Sequence, residues 1–173
     1  KVYAFDRDGQ TRWVANVDTR WARIALVNNA ALSGQSQGLE HTEPGPLKEL
    51  LAVNTAAPMF LMGFVTRVAP PTVPLRIVNV SSGAAVRAFP GLGDYCASKA
   101  GLHMAGEVLA VEDHPDTAVL SYAPGIVDTR LLAGLDDEMR AALAAGVPFP
   151  KRLGVPDDFA KLVLARGDDG YLV

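Results

Sequence analysis

Ile77-Val78-Asn79-Val80-Ser81-Ser82-Gly83 decides how this chain is read. A short apolar run that stops at two serines and a glycine is a buried strand meeting a turn. The same form recurs on both sides. Ile24-Ala25-Leu26-Val27 stops at Asn28-Asn29, and Ala118–Tyr122 stops at Pro124-Gly125. Val2–Phe5, closed by Asp6-Arg7-Asp8-Gly9, and Trp13–Val17 read as two further strands. Runs that are apolar throughout, not alternating, predict strands covered on both faces. Helical stretches over about Leu47–Val68 and Tyr95–Val111 separate the later strands. Pro156–Ala165, with Asp157 and Asp158 in its first turn, reads as another helix. Strands alternating with helices predict an α/β fold, a doubly wound parallel sheet with helices on both faces.

Composition excludes several alternatives. The 173 residues are 49% hydrophobic and 20% charged, with 16 Lys+Arg against 19 Asp+Glu. A net charge of −3 gives no sequence-wide basic field for nucleic acid or an anionic membrane, so neither is expected as a partner. The longest apolar stretches, such as Ala56–Phe64, are interrupted by Pro or Gly and fall short of the ~20 residues a membrane span takes. No secretory signal opens the chain, and Cys96, its one cysteine, cannot form an internal disulfide. These features predict a cytoplasmic protein of one domain, spanning 1–173.

The first strands strain that scheme. Parallel neighbours need a crossover of roughly a dozen residues. Only five residues separate Asp6 from Arg12, and six separate Val17 from Ile24. Either these strands are not parallel, or helices are missing from the chain there. The regularity of the rest favours the second alternative, a domain incomplete at its N-terminus and near 10–24.

For chemistry, no Walker A loop, G-x-S-x-G elbow or H-E-x-x-H is present, and His41, His103 and His114 are scattered. No metal site is expected. Cys96 reads as a bystander thiol. A hydrolase with Ser82 as nucleophile finds no histidine beside it. The informative group is Ser82, Tyr95 and Lys99. Tyr95 and Lys99 are four apart on a predicted helix and so share a face. An ammonium beside a phenol favours the phenolate and would lower its pKa, making the tyrosine useful as an acid or base. Ser82, Pro124-Gly125 and Asn28-Asn29-Ala30 all fall at the carboxyl ends of strands, where open parallel sheets bind ligands.

Those residues resemble the short-chain dehydrogenase/reductase superfamily, NAD(P)-dependent oxidoreductases on a Rossmann fold. The resemblance runs through Leu26-Val27-Asn28-Asn29-Ala30, Val53-Asn54 and Ile77–Gly83. It continues through Tyr95-Cys96-Ala97-Ser98-Lys99-Ala100-Gly101 and Tyr122-Ala123-Pro124-Gly125-Ile126-Val127-Asp128-Thr129. Within the superfamily, Ala56–Leu61, Asp94-Tyr95-Cys96 and Leu120–Gly125 are most similar to sepiapterin reductases and bacterial benzil reductases. Pro148–Gly154 is instead similar to hydroxyacyl dehydrogenases.

The resemblance implies roles. Tyr95 would exchange a proton with the substrate oxygen, and Ser82 would hydrogen-bond that oxygen. Lys99 would lower the Tyr95 pKa and hold the nicotinamide ribose, and Asn54 would anchor a water relaying protons to Lys99. Pro124, Gly125, Ile126 and Thr129 would line the nicotinamide, and Asn28 and Ala30 the adenosine ribose side. Asn16 or Asp18 would take the adenine position. Asp6 would hold the adenosine 2′-hydroxyl, which favours NAD, while Arg7 beside it suits the phosphate of NADP. The resemblance also implies a small carbonyl or alcohol substrate, and a homodimer or homotetramer formed through the helices bearing Asn54 and Tyr95. Ala97, Ala100, Gly101, Ala105 and Gly106 would make the second of these narrow.

Two departures stand out. The family's first strand and glycine-rich turn are missing from this sequence, and Ala31 replaces a usual glycine. A catalytically silent Rossmann-like binding protein is therefore the alternative. Leu131, Leu132, Leu135, Met139 and Leu143 recur at helical spacing, as in a lid or a core-packed helix. Pro58, four residues after Asn54, has no N–H for the Asn54 carbonyl and predicts a kink there. That carbonyl then either serves the proton relay or merely accompanies a bend that steers the helix.

Overall fold

The computed structural model describes the backbone of 2–5 and 11–15, residues 20–125, and 137, 138 and 141. The chain divides into two compact units, Lys1–Ser121 and Tyr122–Val173. Strands β1 (Val2–Phe5), β2 (Thr11–Ala15), β3 (Ile24–Asn28), β4 (Leu75–Val80) and β5 (Thr117–Tyr122) form two sheets. The helices are α1 (Pro44–Leu51), α2 (Ala57–Val68) and α3 (Gly93–Val111). The segment expected as a lid and the helix expected at Pro156–Ala165 lie outside the described residues.

β3, β4 and β5 make one sheet in that order, and β3 runs parallel to β4 from the pair Ile24–Leu75 to Asn28–Asn79. The long connection between β3 and β4 holds α1 and α2, as a parallel crossover requires. β4 is buried almost throughout, whereas β3 alternates, with Ala25 and Val27 exposed. The expectation of cover on both faces therefore holds for β4 and is corrected for β3. Apolar residues on both sides of a strand allow double cover; neighbouring elements decide whether it occurs.

β1 and β2 require a second correction. They pair antiparallel, from Val2–Ala15 to Phe5–Thr11, in a separate two-stranded sheet. A hairpin needs no crossover helix, so the short spacing is met by the alternative of non-parallel strands.

One core joins the sheet to α2 and α3. Leu75 and Ile77 of β4 meet Ile24, Met62, Val73, Leu102 and Leu109. Alternation puts Asn79 on the same face, where it is fully buried. It satisfies its polar groups by accepting a hydrogen bond from Asn28 Nδ2 at 2.8 Å and donating to Met62 Sδ at 3.3 Å. α3 crosses close above, because a Cβ at Gly106 would lie 3.0 Å from Asn79 Nδ2 and 3.2 Å from Ser121 Oγ. At Gly101 a Cβ would lie 2.9 Å from Thr55 Cγ2. The narrow side of α3 is thus used in packing within the chain.

Pro58 changes the helix register. Between α1 and α2, Ala52–Ala56 winds as a π-helix, and Ala57 N–H donates to Ala52 O, five residues back. The widened turn carries Asn54 and leads into Pro58 in the first turn of α2. A π-bulge accommodates the missing N–H without ending the helix. The continuous run Pro44–Val68 is consequently 25 residues, long and apolar enough by length and composition to cross a membrane. That corrects the expectation that no stretch reaches such a length. Its apolar surface is used in part by the fold, since Leu50 and Met62 are buried and Asn54 is bonded into the interior.

Candidate active site

α3 brings Tyr95 and Lys99 to the carboxyl end of β4. Lys99 is 2% exposed, and its Nζ donates to the carbonyl of Val80, the last residue of β4, at 2.9 Å. The same nitrogen stands 5.8 Å from the centroid of the half-buried Tyr95 ring, a cation–π contact. Just past Val80, the Ser82 side chain caps the 3-10 turn Gly83–Ala85, accepting from Ala84 N–H at 3.2 Å. It also hydrogen-bonds the Tyr95 side chain. Ser82, Tyr95 and Lys99 therefore meet at one strand end.

Burial pushes the Tyr95 phenol above its ordinary range; the Ser82 hydrogen bond pulls it down in part, and neighbouring Cys96 pushes it up. Burial also pulls the Lys99 ammonium below its ordinary range. The expected lowering of Tyr95 by Lys99 is thus reversed in this arrangement. The ammonium is turned to the Val80 carbonyl, and removal of the phenol from water outweighs the lowering by Ser82.

These shifts predict a pH dependence of stability. Between the lowered Lys99 pKa and the ordinary lysine value, the unfolded chain binds more protons, so the Lys99 contribution grows as pH rises. Tyr95 acts oppositely, since its contribution is complete below the ordinary tyrosine pKa and is lost as pH rises through its raised value. Lys99→Met removes only the first effect. Urea midpoints should show wild type gaining on Lys99→Met as pH rises toward the ordinary lysine value. A constant difference across that range would refute the assignment.

Asn54, fully buried in the π segment, ties three elements together. Its Oδ1 accepts from Leu32 N–H at 2.8 Å, and its Nδ2 donates to Leu32 O at 2.9 Å and to Ser98 Oγ at 3.0 Å. Ser98 Oγ in turn donates to Tyr95 O at 2.8 Å. Thr55 Oγ1 adds a bond to Ser98 O at 2.9 Å. Asn54 thus joins the loop after β3 to the turn carrying Tyr95.

The remaining candidates divide. Asn28 is buried, and its side-chain amide donates to Asn79 instead of facing the strand end. Ala30 is exposed just beyond β3. Pro124 and Gly125 follow β5 in the second unit, Gly125 with φ 75°. Asp6, Arg7, Asn16, Ile126 and Thr129 lie outside the described residues. Sequence reading assigned no task to Asn79, Ser98 or the Val80 carbonyl. A signal existed for the first two: an asparagine inside an apolar strand, and a serine three residues after Tyr95 on its helix. Backbone carbonyls leave no such trace.

The residues present fit the ribose and nicotinamide end of a dinucleotide, since a buried cation and a half-buried phenol adjoin a strand end. Among the described residues, no cluster of three or more His, Cys, Asp or Glu is placed to hold a metal ion.

Residues 3–140 match the family model for short chain dehydrogenases, and the chain belongs to that family. It is 32% identical over 130 residues to sepiapterin reductase of Bos taurus, a match covering 70% of this chain and 48% of that one. Benzil reductase ((S)-benzoin forming) of Bacillus cereus is 33% identical over 114 residues, covering 64% and 46%. Among solved structures, the angucycline C-6 ketoreductase LanV with bound NADP superposes with a TM-score of 0.67 at 30% identity, covering 80% of this chain and 54% of that one. The chain spans about half the length of the curated relatives it matches. The sheet and its crossover helices are the Rossmann-like fold that the sequence predicted.

Proposed function

We propose that the chain carries the catalytic residues of an NAD(P)-dependent oxidoreductase acting on a small carbonyl or alcohol. The observation that carries this reading is the meeting of Ser82, Tyr95 and Lys99 at the end of β4. A bound dinucleotide would supply or take up the hydride. Tyr95 gives its hydroxyl proton to the carbonyl oxygen in reduction and takes a proton back in oxidation. Ser82 donates to the same oxygen as charge develops on it. Lys99 holds the nicotinamide ribose and Ala30 adjoins the adenosine side, with Asn28 contributing through the backbone it steadies. By the family resemblance, Pro124, Gly125, Ile126 and Thr129 would line the nicotinamide and Asn16 would take the adenine side. Asp6 in the sequence favours NAD, with Arg7 opposing it.

Exposed Met59 and Phe60 on α2, and Met104 and Val108 on α3, support a homodimer or homotetramer formed through these helices. The single cysteine supports a cytoplasmic location, and the net charge of −3 supports the expectation of no nucleic-acid or membrane partner.

The test is a screen of diketones and other carbonyls against NADH and NADPH. Carbonyl-dependent oxidation is expected, faster with NADH. Better turnover with NADPH would overturn the preference. The second reading is a catalytically silent Rossmann-like binding protein. Dinucleotide binding without turnover on any carbonyl would establish it.

Asn54 anchors the proton relay through its main-chain carbonyl, which Pro58 cannot bond. Pro58→Ala supplies the missing N–H and competes with a relay water. Proton-coupled turnover should slow by several-fold, on the order of the loss of one hydrogen bond, with dinucleotide affinity unchanged. A wild-type rate across pH would leave the π segment a purely structural device.

A further inference from the structure

We propose that Asp94 is a positioning residue for Tyr95, clamping the loop that leaves β3 to the helical turn carrying the acid/base. The proposal rests on the oxidoreductase reading above. Asp94 occupies the first turn of α3. Its Oδ2 accepts the backbone N–H of Gln35 at 3.0 Å, and its Oδ1 accepts the backbone N–H of Tyr95 at 2.7 Å. One carboxylate thus holds the loop and the tyrosine's own main chain. Gly34 lets the loop come this close: its φ is 77°, and a Cβ there would lie 2.6 Å from Asp94 Oδ2. A larger residue would meet both a strained backbone and the carboxylate.

The loop has two other ties. Asn54 bonds both backbone groups of Leu32, and Gln37 N–H donates to Gly91 O at 2.9 Å. The Asn54 tie reaches Tyr95 through Ser98 and the tyrosine carbonyl, and the Gln37 tie pairs with Gly91 and Leu92, the residue that caps α3. Asp94 alone among the three bonds the tyrosine N–H. The loop begins at Asn29, directly after β3, on the side assigned to the cofactor. Loop placement at the cofactor side and Tyr95 placement at the substrate side are therefore coupled through this carboxylate. The negative charge also suits the first turn of a helix, where it answers free N–H groups and the dipole.

Asp94 touches no reacting atom, so its effect should appear in turnover and its pH dependence. Asp94→Asn keeps the shape but leaves one acceptor oxygen, and it turns an N–H toward one of the two donors. Kinetics and amide exchange by mass spectrometry on the full chain provide the test. In Asp94→Asn, amide exchange around Gln35 should rise about tenfold or more as the clasp opens. kcat should fall about 10- to 100-fold, with KM for carbonyl and dinucleotide nearly unchanged. The tyrosine limb of the kcat–pH profile should also move. Gly34→Ala leaves the Asp94 chemistry intact and pushes the loop away, so it should reproduce both effects and serves if Asp94→Asn does not fold. Unchanged exchange at Gln35 would overturn the clamp. Faster exchange with wild-type kcat and pH profile, or a loss confined to KM, would overturn the positioning role. A wild type without carbonyl turnover would defeat the oxidoreductase reading instead, while Gln35 exchange would still decide the clamp.

Discussion

Tyr95→Phe should reduce carbonyl turnover by about a thousandfold, within the range that a positioned acid contributes. The phenyl ring keeps the stack beneath the Lys99 ammonium and removes only the hydroxyl and its bond to Ser82. Stability should change by no more than about 1 kcal/mol, because a lost neutral hydrogen bond is offset by one fewer buried polar group. Direction of reaction sets the pH dependence. Reduction needs the neutral phenol, and burial raises its pKa, so reduction in wild type should hold across neutral pH and fall as pH passes the raised value. Oxidation needs the phenolate and should rise over the same interval. Both limbs should vanish from the residual activity of Tyr95→Phe. Initial rates of each direction across pH provide the check. A variant that keeps more than a tenth of wild-type turnover, or keeps its alkaline limb, would remove Tyr95 from the acid/base role.

Asn54→Ala should be the most damaging single change to stability, at about 2–4 kcal/mol. Asn54 is fully buried and makes three hydrogen bonds, two of them to the backbone of Leu32. Truncation strands the Leu32 N–H, the Leu32 carbonyl and Ser98 Oγ together, and leaves a cavity in the π segment. Water reaches the partly exposed Leu32, which limits the loss. Asn54→Asp is a sharper probe. It keeps an acceptor for the Leu32 N–H but sets a carboxylate against the Leu32 carbonyl in a buried site. Its pKa should rise, so its stability should be greatest at acid pH and fall as pH rises through that value. Urea unfolding of both variants across pH measures these effects. A loss below about 1 kcal/mol for Asn54→Ala would mean that water replaces the side chain, and that the loop is held elsewhere.

The sequence alone determined the α/β class, the three strands that end in polar or glycine residues, and the helix carrying Tyr95 and Lys99. Each is written in local pattern: apolar runs of strand length, turn residues at their ends, and two side chains four apart on a helix. The grouping of Ser82 with Tyr95 was legible from the strand end that Ser82 occupies and was strengthened by the family resemblance, whereas residues thirteen apart share no local geometry that fixes their contact. Pairing was less legible. Short connections around β1 and β2 allowed a hairpin or a broken parallel sheet, and only backbone hydrogen bonds between strands distinguish them. Pro58 announced an irregular helix, but the π turn that absorbs it depends on how α1 and α2 lie on the rest of the unit. Tertiary structure alone decided the direction in which the proton affinities of the site shift. Lys99 beside Tyr95 suggested a lowered phenol pKa, yet burial raises it, because desolvation is set by everything packed around a group and not by its neighbours in sequence. The same holds for Asn28 with Asn79 and Gln35 with Asp94, pairs 51 and 59 residues apart that meet only once the crossover has brought their elements together.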